Sequence, residues 1–424
     1  MASNELRQPS VARQGLFYGY IVAVASLLIS MSAYGVHSAF GIFFKPMSGD
    51  LGWTRAVTSG AVLIFWVIHG FMSIVIGRLN DRFGPRVSMT VCGLLLGAGF
   101  LLMSQINAVW QLYLLFGVVI GFGIGGTFVS LASTVARWFV KRRTVMTGIV
   151  VAGSGLGQMI IPPLASYFIY SYTWRLAYVI LGGISLVVIV VLAQFLRRDP
   201  AQKGLRPYGE NEVEKQQFKP EPPSSFPREA VKSRQLWLLI TMIFCLGYSV
   251  SSIMVHIVPH ITDLGISPAT AAGIFATMGG AGIVGRVVLG AAADRIGNKN
   301  AFIIGFALMA LISFWLIPVT TVWSIYLFAI VFGVASGGCV ASESPLVATL
   351  FGLKAHGLLL GFVVCGFSVG AAIGPFVTGY IFDIDSSYRV AFFICAFLAI
   401  VGLILSVILR PVNVGGGTAP QIQS

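Results

Sequence analysis

Charge is what this sequence has least of. Only 10% of its residues are Asp, Glu, Lys or Arg, against about 25% in an average soluble domain. With 57% of the residues apolar, no soluble fold of this length could hide the apolar surface. Acids are scarcer than bases, 14 against 27. Cysteine is scarce too. Cys92, Cys245, Cys339, Cys365 and Cys395 all lie in apolar segments and none forms a Cys-x-x-Cys pair. They read as small packing residues, which excludes a disulfide framework or a thiolate metal site. No Gly-Lys-Ser/Thr follows any glycine run, so nothing indicates ATP hydrolysis, and no cofactor or metal is expected.

What is present is long apolar runs, at roughly 17–44, 56–77, 87–105, 108–136, 145–170, 175–196, 236–262, 268–293, 301–319, 322–350, 356–382 and 388–409. A span needs about 20 mostly apolar residues. The runs are too long for barrel strands, and backbone in lipid must satisfy itself internally, so each is a helix. The expectation is an all-α membrane protein of twelve transmembrane helices in two similar six-helix bundles. The units are a cytoplasmic tail at 1–16, a first bundle at 17–196, a linker at 197–235, a second bundle at 236–410 and a second cytoplasmic tail at 411–424. The linker carries Pro200, Pro207, Pro220, Pro222, Pro223 and Pro227, with a short surface helix expected around Asn211–Gln217. The polar first residues and the long first run speak against a cleaved signal peptide.

The basic residues are sorted by side. Twenty-two of the 27 fall at the termini, the linker and the short loops of one side. The other side holds Lys45, Arg55, Arg175 and Arg389, and the remaining one, Arg286, sits inside a span. The positive-inside rule then makes both termini cytoplasmic. It also explains the net charge of +13 without nucleic acid, because no basic stripe is formed. The compact loops favour a bacterial plasma (inner) membrane.

The halves repeat. Gly77-Arg78-Leu79-Asn80-Asp81-Arg82-Phe83-Gly84 follows the second run, and Gly290-Ala291-Ala292-Ala293-Asp294-Arg295-Ile296-Gly297 follows the eighth. Gly125-Gly126 matches Gly337-Gly338, and Pro163 matches Pro375. Nearly one offset, half the chain, relates all of them, the mark of a duplicated unit.

On these residues the chain resembles the major facilitator superfamily. That family's loop signature is met by Gly77, Asp81, Arg82, Gly84 and Arg86, with a weaker copy at Gly290–Gly297. The resemblance implies two bundles rocking about a cavity lined by spans 1, 2, 4, 5, 7, 8, 10 and 11. Three further stretches resemble the monocarboxylate transporters and the related oxalate–formate exchangers. They are Phe17-Tyr18-Gly19-Tyr20 through Phe43-Phe44-Lys45, Arg137 through Gly155, and Gly285-Arg286-Val287-Val288-Leu289-Gly290. The resemblance makes Arg286 the substrate-anion arginine. It also makes the Asp81-type residue a lock on the cytoplasmic helix ends, with Arg82, Arg86, Arg137 and Asp294 in the same gating class.

The residues argue in the same direction. A guanidinium inside a span is costly and marks a functional site; it can hold a carboxylate with two parallel hydrogen bonds. The alternative for Arg286 is a structural ion pair, and its place four residues before Gly290 puts it towards the cytoplasmic end. The exchangers carry a second cation in span eleven, but Gly357–Phe382 contains no Lys, Arg or His, and the aligned position is Val363. One cation balances one carboxylate.

His256 is a candidate for substrate binding or for packing, and His260 for a structural role. Asp263 and Glu343 are candidates for carrying a proton; Asp263 could equally be a helix-end residue, and Glu343 could pair with Arg286 or Arg137. His37 or Lys45 could stand in for a lysine that the mammalian relatives carry near this point. Tyr34, Phe332 and Phe367 are candidate aromatic walls. The expected function is proton-coupled symport of a small monocarboxylate of the lactate or pyruvate type, by a monomer. Anion exchange and export of another organic compound are the alternatives. The tails and linker offer no receptor or partner domain.

Overall fold

The computed structural model describes residues 17–53, 55–210 and 227–410, excepting the side chains of Lys45, Pro268, residues 55–59 and residues 227–229. The tails and the helix expected at Asn211–Gln217 lie outside the described residues. Among the described residues, twelve helices are long and apolar enough to cross a membrane. They are α1 Tyr18–Phe44, α2 Gly60–Phe83, α3 Pro85–Met103, α4 Val109–Trp138, α5 Arg143–Ser171 and α6 Trp174–Ala193, then α7 Arg234–Asp263, α8 Ala269–Ile296, α9 Asn298–Leu316, α10 Val322–Phe351, α11 His356–Asp385 and α12 Arg389–Ile408. Every third helix is short: α3 and α9 have 19 residues, α6 and α12 have 20. At 1.5 Å per residue they just cross a hydrocarbon core of about 30 Å. The mean hydropathy is highest in α6 and α12, at 2.8 and 2.9, as expected of helices that face lipid.

Each half has its own core. One is built from Val22 to Leu196, the other mainly from Ala230 to Leu409. Two seams join them, α2 against α11 and α5 against α8. Glycine makes both seams possible. A Cβ on Gly148 of α5 would lie 2.1 Å from the carbonyl oxygen of Arg286, and one on Gly361 of α11 would lie 2.4 Å from that of Ser73. The two contacts are related by the sequence repeat. Backbones this close gain dispersion where lipid offers no hydrophobic drive between helices. Gly148→Val should therefore prevent this seam from closing, at a cost of about 1–3 kcal/mol or more. Thiol labelling of a cysteine at Ser251, on the cavity wall, should fall from the side to which the cavity now opens; unchanged labelling would count against the contact.

The repeated signature turns out to be helical, not a loop. α2 runs to Phe83 and α8 to Ile296, and only Gly84 (φ 85) and Gly297 (φ 90) form the turns. A polar last turn still satisfies its own backbone, so the helix continues until a glycine with positive φ ends it. Asp81 and Asp294 thus sit on rigid helix ends that point at the other bundle.

There they cap helices that have no cap of their own. Neither α5 nor α11 has a side-chain N-cap or an acid in its first turn. Asp81 accepts from the backbone N–H of Gly357 (3.1 Å) and Leu358 (2.9 Å) at the start of α11. Asp294 accepts from those of Thr144 (2.7 Å) and Val145 (3.0 Å) at the start of α5. Each brace joins a carboxylate to the positive end of a helix across the bundle boundary. Arg137 reinforces the first: it is 3.2 Å from Asp81 and also donates to the carbonyl of Leu353, in the loop before α11.

Arg82 and Arg86 are not part of these braces. Arg82 is exposed over the ring of Phe83. The Nε of Arg86 donates to Gln194 at 2.7 Å, tying α3 to the end of α6 within one bundle. Both residues are exposed.

The start of the linker is fastened to the first bundle. Tyr208 accepts from the backbone N–H of Val140 and Lys141, both at 3.1 Å. Its ring packs among Phe17, Tyr20 and Phe139.

Candidate substrate cavity

With the linker end closed by the two braces, a cavity of about 830 Å³ remains between the bundles. All eight helices implied by the resemblance line it. Its wall reaches Leu63, Val255 and Phe376, each more than half exposed, towards the end opposite the linker.

Arg286 owes its position to two adjacent stripes on α8. Gly282, Gly285 and Leu289 face α10, where a Cβ on Gly285 would meet the carbonyl of Val334 at 2.2 Å. Ile283, Arg286 and Gly290 face α5. The spacing of three and four residues sets each stripe. The Nη1 of Arg286 donates to the carbonyl of Val151 (2.9 Å) and to Ser154 Oγ (3.0 Å), both on α5. Its buried Nε has no partner, and among the described residues Nη2 makes no hydrogen bond. One edge of the guanidinium is therefore spent on holding the seam. The other edge, Nε and Nη2, has the fork geometry that takes a carboxylate with two bonds. Arg286 also stands nearer the middle of its 29-residue helix than its end. It lies past the midpoint towards the linker end, as its place before Gly290 suggested, and the helix continues beyond Gly290 to Ile296.

Glu343 on α10 is 3% exposed, lines the same cavity, and its Oε1 has no partner. Among the described residues it makes no ion pair with Arg286 or Arg137, so two of its three expected uses are not what the structure holds. Arg137 is engaged instead with Asp81 and Leu353. Tyr34 on α1 lies within electrostatic reach of both Glu343 and Arg286. Cation, acid and phenol thus share one part of the wall, without direct pairing between the two charges. Among the described residues Arg286 is the only Lys or Arg on the lining.

The protein's relatives agree with this architecture. A profile described as the Major Facilitator Superfamily matches residues 26–291 and again 256–421. The chain belongs to the Major Facilitator Superfamily. Monocarboxylate transporter 13 of Rattus norvegicus is 25% identical, over 91% of this chain and 87% of its own length. Monocarboxylate transporter 12 of Mus musculus is 26% identical, over 92% and 84%. An agnestins efflux protein of Paecilomyces divaricatus is 25% identical, over 85% and 80%. Among solved structures, the proton:xylose symporter XylE aligns with a TM-score of 0.72 at 13% identity, over 93% of this chain and 96% of that one. The transporter FucP in its outward conformation aligns at 0.71 and 13%, over 93% and 100%.

This major facilitator chain departs from its sequence expectations at several residues. Phe332 is 1% exposed and stacks on Phe328 at 5.3 Å inside the second core, not on the cavity wall. The close approach of α10 to α8 at Gly333 and Gly337 fixes the rotation of α10 and turns Phe332 inward. Asp263 is exposed at the end of α7 and is not on the lining; it is a helix-end residue. His256 does line the cavity, but its Nε2 donates to the carbonyl of Pro375 at 2.9 Å, which leaves Nδ1 for a ligand. His260 packs edge-on against Tyr388 and Phe392. His37 stacks on Phe65 at 4.2 Å and faces the cavity. The side chain of Lys45 lies outside the described residues. Tyr34 and Phe367 are on the wall.

His69 was overlooked. It is 5% exposed, lines the cavity from α2, and its Nδ1 is 2.8 Å from Ser368 Oγ on α11. This contact stitches the α2–α11 seam as Arg286 stitches the α5–α8 seam. A histidine in the middle of an apolar run was the available signal.

Proposed function

We propose that this major facilitator carries a monocarboxylate together with a proton, by rocking of the two bundles about the cavity. The observation that carries the reading is the unspent Nε/Nη2 edge of Arg286 on the cavity wall. It supplies one fixed positive charge and two donors in the geometry of a carboxylate, with no second Lys or Arg on the lining among the described residues. Glu343 is the proton site: a buried acid on the same cavity with no cation bound to it. Its proton is taken up with the anion, Tyr34 lying in the field of both. Loading one anion and one proton keeps the moving complex from adding charge, which avoids about 2.3 kcal/mol per charge per 100 mV. Lactate and pyruvate are small acids that meet this requirement. The positive-inside asymmetry supports a cytoplasmic linker and cytoplasmic tails, in a protein of the plasma membrane. The working unit proposed is the monomer.

Uptake of labelled acid into proteoliposomes tests the coupling. With wild type, an imposed proton gradient should drive about tenfold accumulation per pH unit. Glu343→Gln should lose that accumulation while still exchanging acid between equal pools. Uptake that ignores the gradient in wild type would sink proton symport, and uptake seen only in vesicles preloaded with an anion would favour obligate exchange.

A further inference from the structure

We propose that the carried acid bears an aromatic ring. The inference rests on the carboxylate reading above and names the substrate class of that site. A three-carbon acid takes the space of three or four waters, on the order of 100 Å³. The cavity holds about 830 Å³, within the range of pockets that enclose drug-sized ligands. Size alone would admit any bulky acid; the distribution of the wall narrows it.

The polar and apolar parts of the wall stand on different seams. Arg286 reaches the cavity at the α5–α8 seam, bonded to Val151 and Ser154. The α2–α11 seam presents rings: Phe65 and Trp66 from α2, and Phe367 and Phe376 from α11. Trp66 and Phe367 come from different bundles, with centroids 6.4 Å apart and planes tilted by 49°. His37 extends the same surface, stacked on Phe65. A carboxylate held at Arg286 leaves the rest of its molecule to meet these rings. A small hydroxy or keto acid would leave them against water. An aryl group would cover them in the offset or edge-on geometry that ring pairs prefer. His69 Nε2, which has no partner among the described residues once Nδ1 bonds Ser368, offers one polar contact at the ring end. With one cation on the lining, a second carboxylate on the ring would go unpaired, so the acid is a monoacid.

The test uses the purified full chain and four probes: lactate, octanoate, phenylpropionate and phenylpropanol. Phenylpropionate should bind at least about tenfold more tightly than lactate, and more tightly than octanoate. Phenylpropanol, with the ring but no charge, should bind weakly. Trp66→Leu and Phe367→Leu should each shrink the phenylpropionate-to-lactate ratio by about threefold or more. Lactate binding equal to that of phenylpropionate, octanoate binding as tightly as the aryl acid, or a ratio untouched by both leucine variants would overturn the aromatic class. The outcomes separate the two readings. Lactate bound in an Arg286-dependent way, with no aryl preference, removes only this inference. Acid binding that survives Arg286→Gln removes the carboxylate site itself.

Discussion

Arg286→Gln is expected to lower carboxylate uptake at least about 100-fold, with the loss appearing in binding as well as in transport. Hydrogen bonds to a charged group contribute about 1.5–3 kcal/mol each, and the free edge of Arg286 offers two in parallel. Glutamine keeps most of the length and can still hold Val151 or Ser154, but it presents no charge and no fork. Arg286→Lys is the sharper comparison. A single ammonium cannot hold the two acceptors on α5 and also present two parallel N–H groups to a ligand. It should therefore recover some anion affinity through charge, while remaining well below wild type. Initial uptake rates and equilibrium binding of labelled acid, with chromatographic monodispersity as the folding control, decide the matter. A glutamine variant within about threefold of wild type would leave Arg286 as a seam residue only.

The second large effect should come from the braces. Asp81→Asn combined with Asp294→Asn keeps shape and removes both carboxylate charges from the starts of α11 and α5. Each brace comprises two N–H donors to one carboxylate at a helix N-terminus. Losing the charge costs about 1–2 kcal/mol per brace. The sites lie on separate seams, so the effects should add. The ratio of linker-closed to linker-open molecules should fall by about 30- to 1000-fold. The singles should not be equal: Asp81 also faces Arg137, which is 9% exposed, so Asp81→Asn leaves a nearly buried cation with the longer contact to Asp199, 3.5 Å, in place of the nearer carboxylate. Spin-label distances across the linker end, read for both singles and the double, measure the shift. Identical distances in all of them would show that the glycine seams alone hold this end.

The architecture was legible because lipid imposes simple demands. Runs of apolar residues long enough to span leave helices as the only solution, and the repeat located the second brace at Asp294 from the first at Asp81. Arg286 was legible because no other cation interrupts a span. What was not legible depended on rotation and on contact between distant segments. Periodicity says little about which face of a glycine-rich, wholly apolar helix looks inward. Phe332 was placed on the wrong side of α10 for that reason, since the backbone contacts with α8 that set its rotation belong to the folded state. His69 has its partner at Ser368, almost 300 residues along the chain, so the sequence showed a histidine in an apolar run but not the contact it makes. α8 runs slightly past its apolar run, to Ile296, because a polar last turn still satisfies its own backbone until Gly297 ends it. Glu343 was recognised, but its lack of an ion pair is a property of the packing.

The borrowed caps have a consequence for the solvent. When the linker end opens, four backbone N–H groups and two carboxylates lose one another at once. Nothing in α5 or α11 can replace the acids, because neither helix carries a cap of its own. Water has to take up those bonds and be expelled when the end closes again. Each turnover is therefore also a cycle of hydration and drying at two helix ends. The protein moves water in and out of its own gates as a fixed part of its work, whatever it carries.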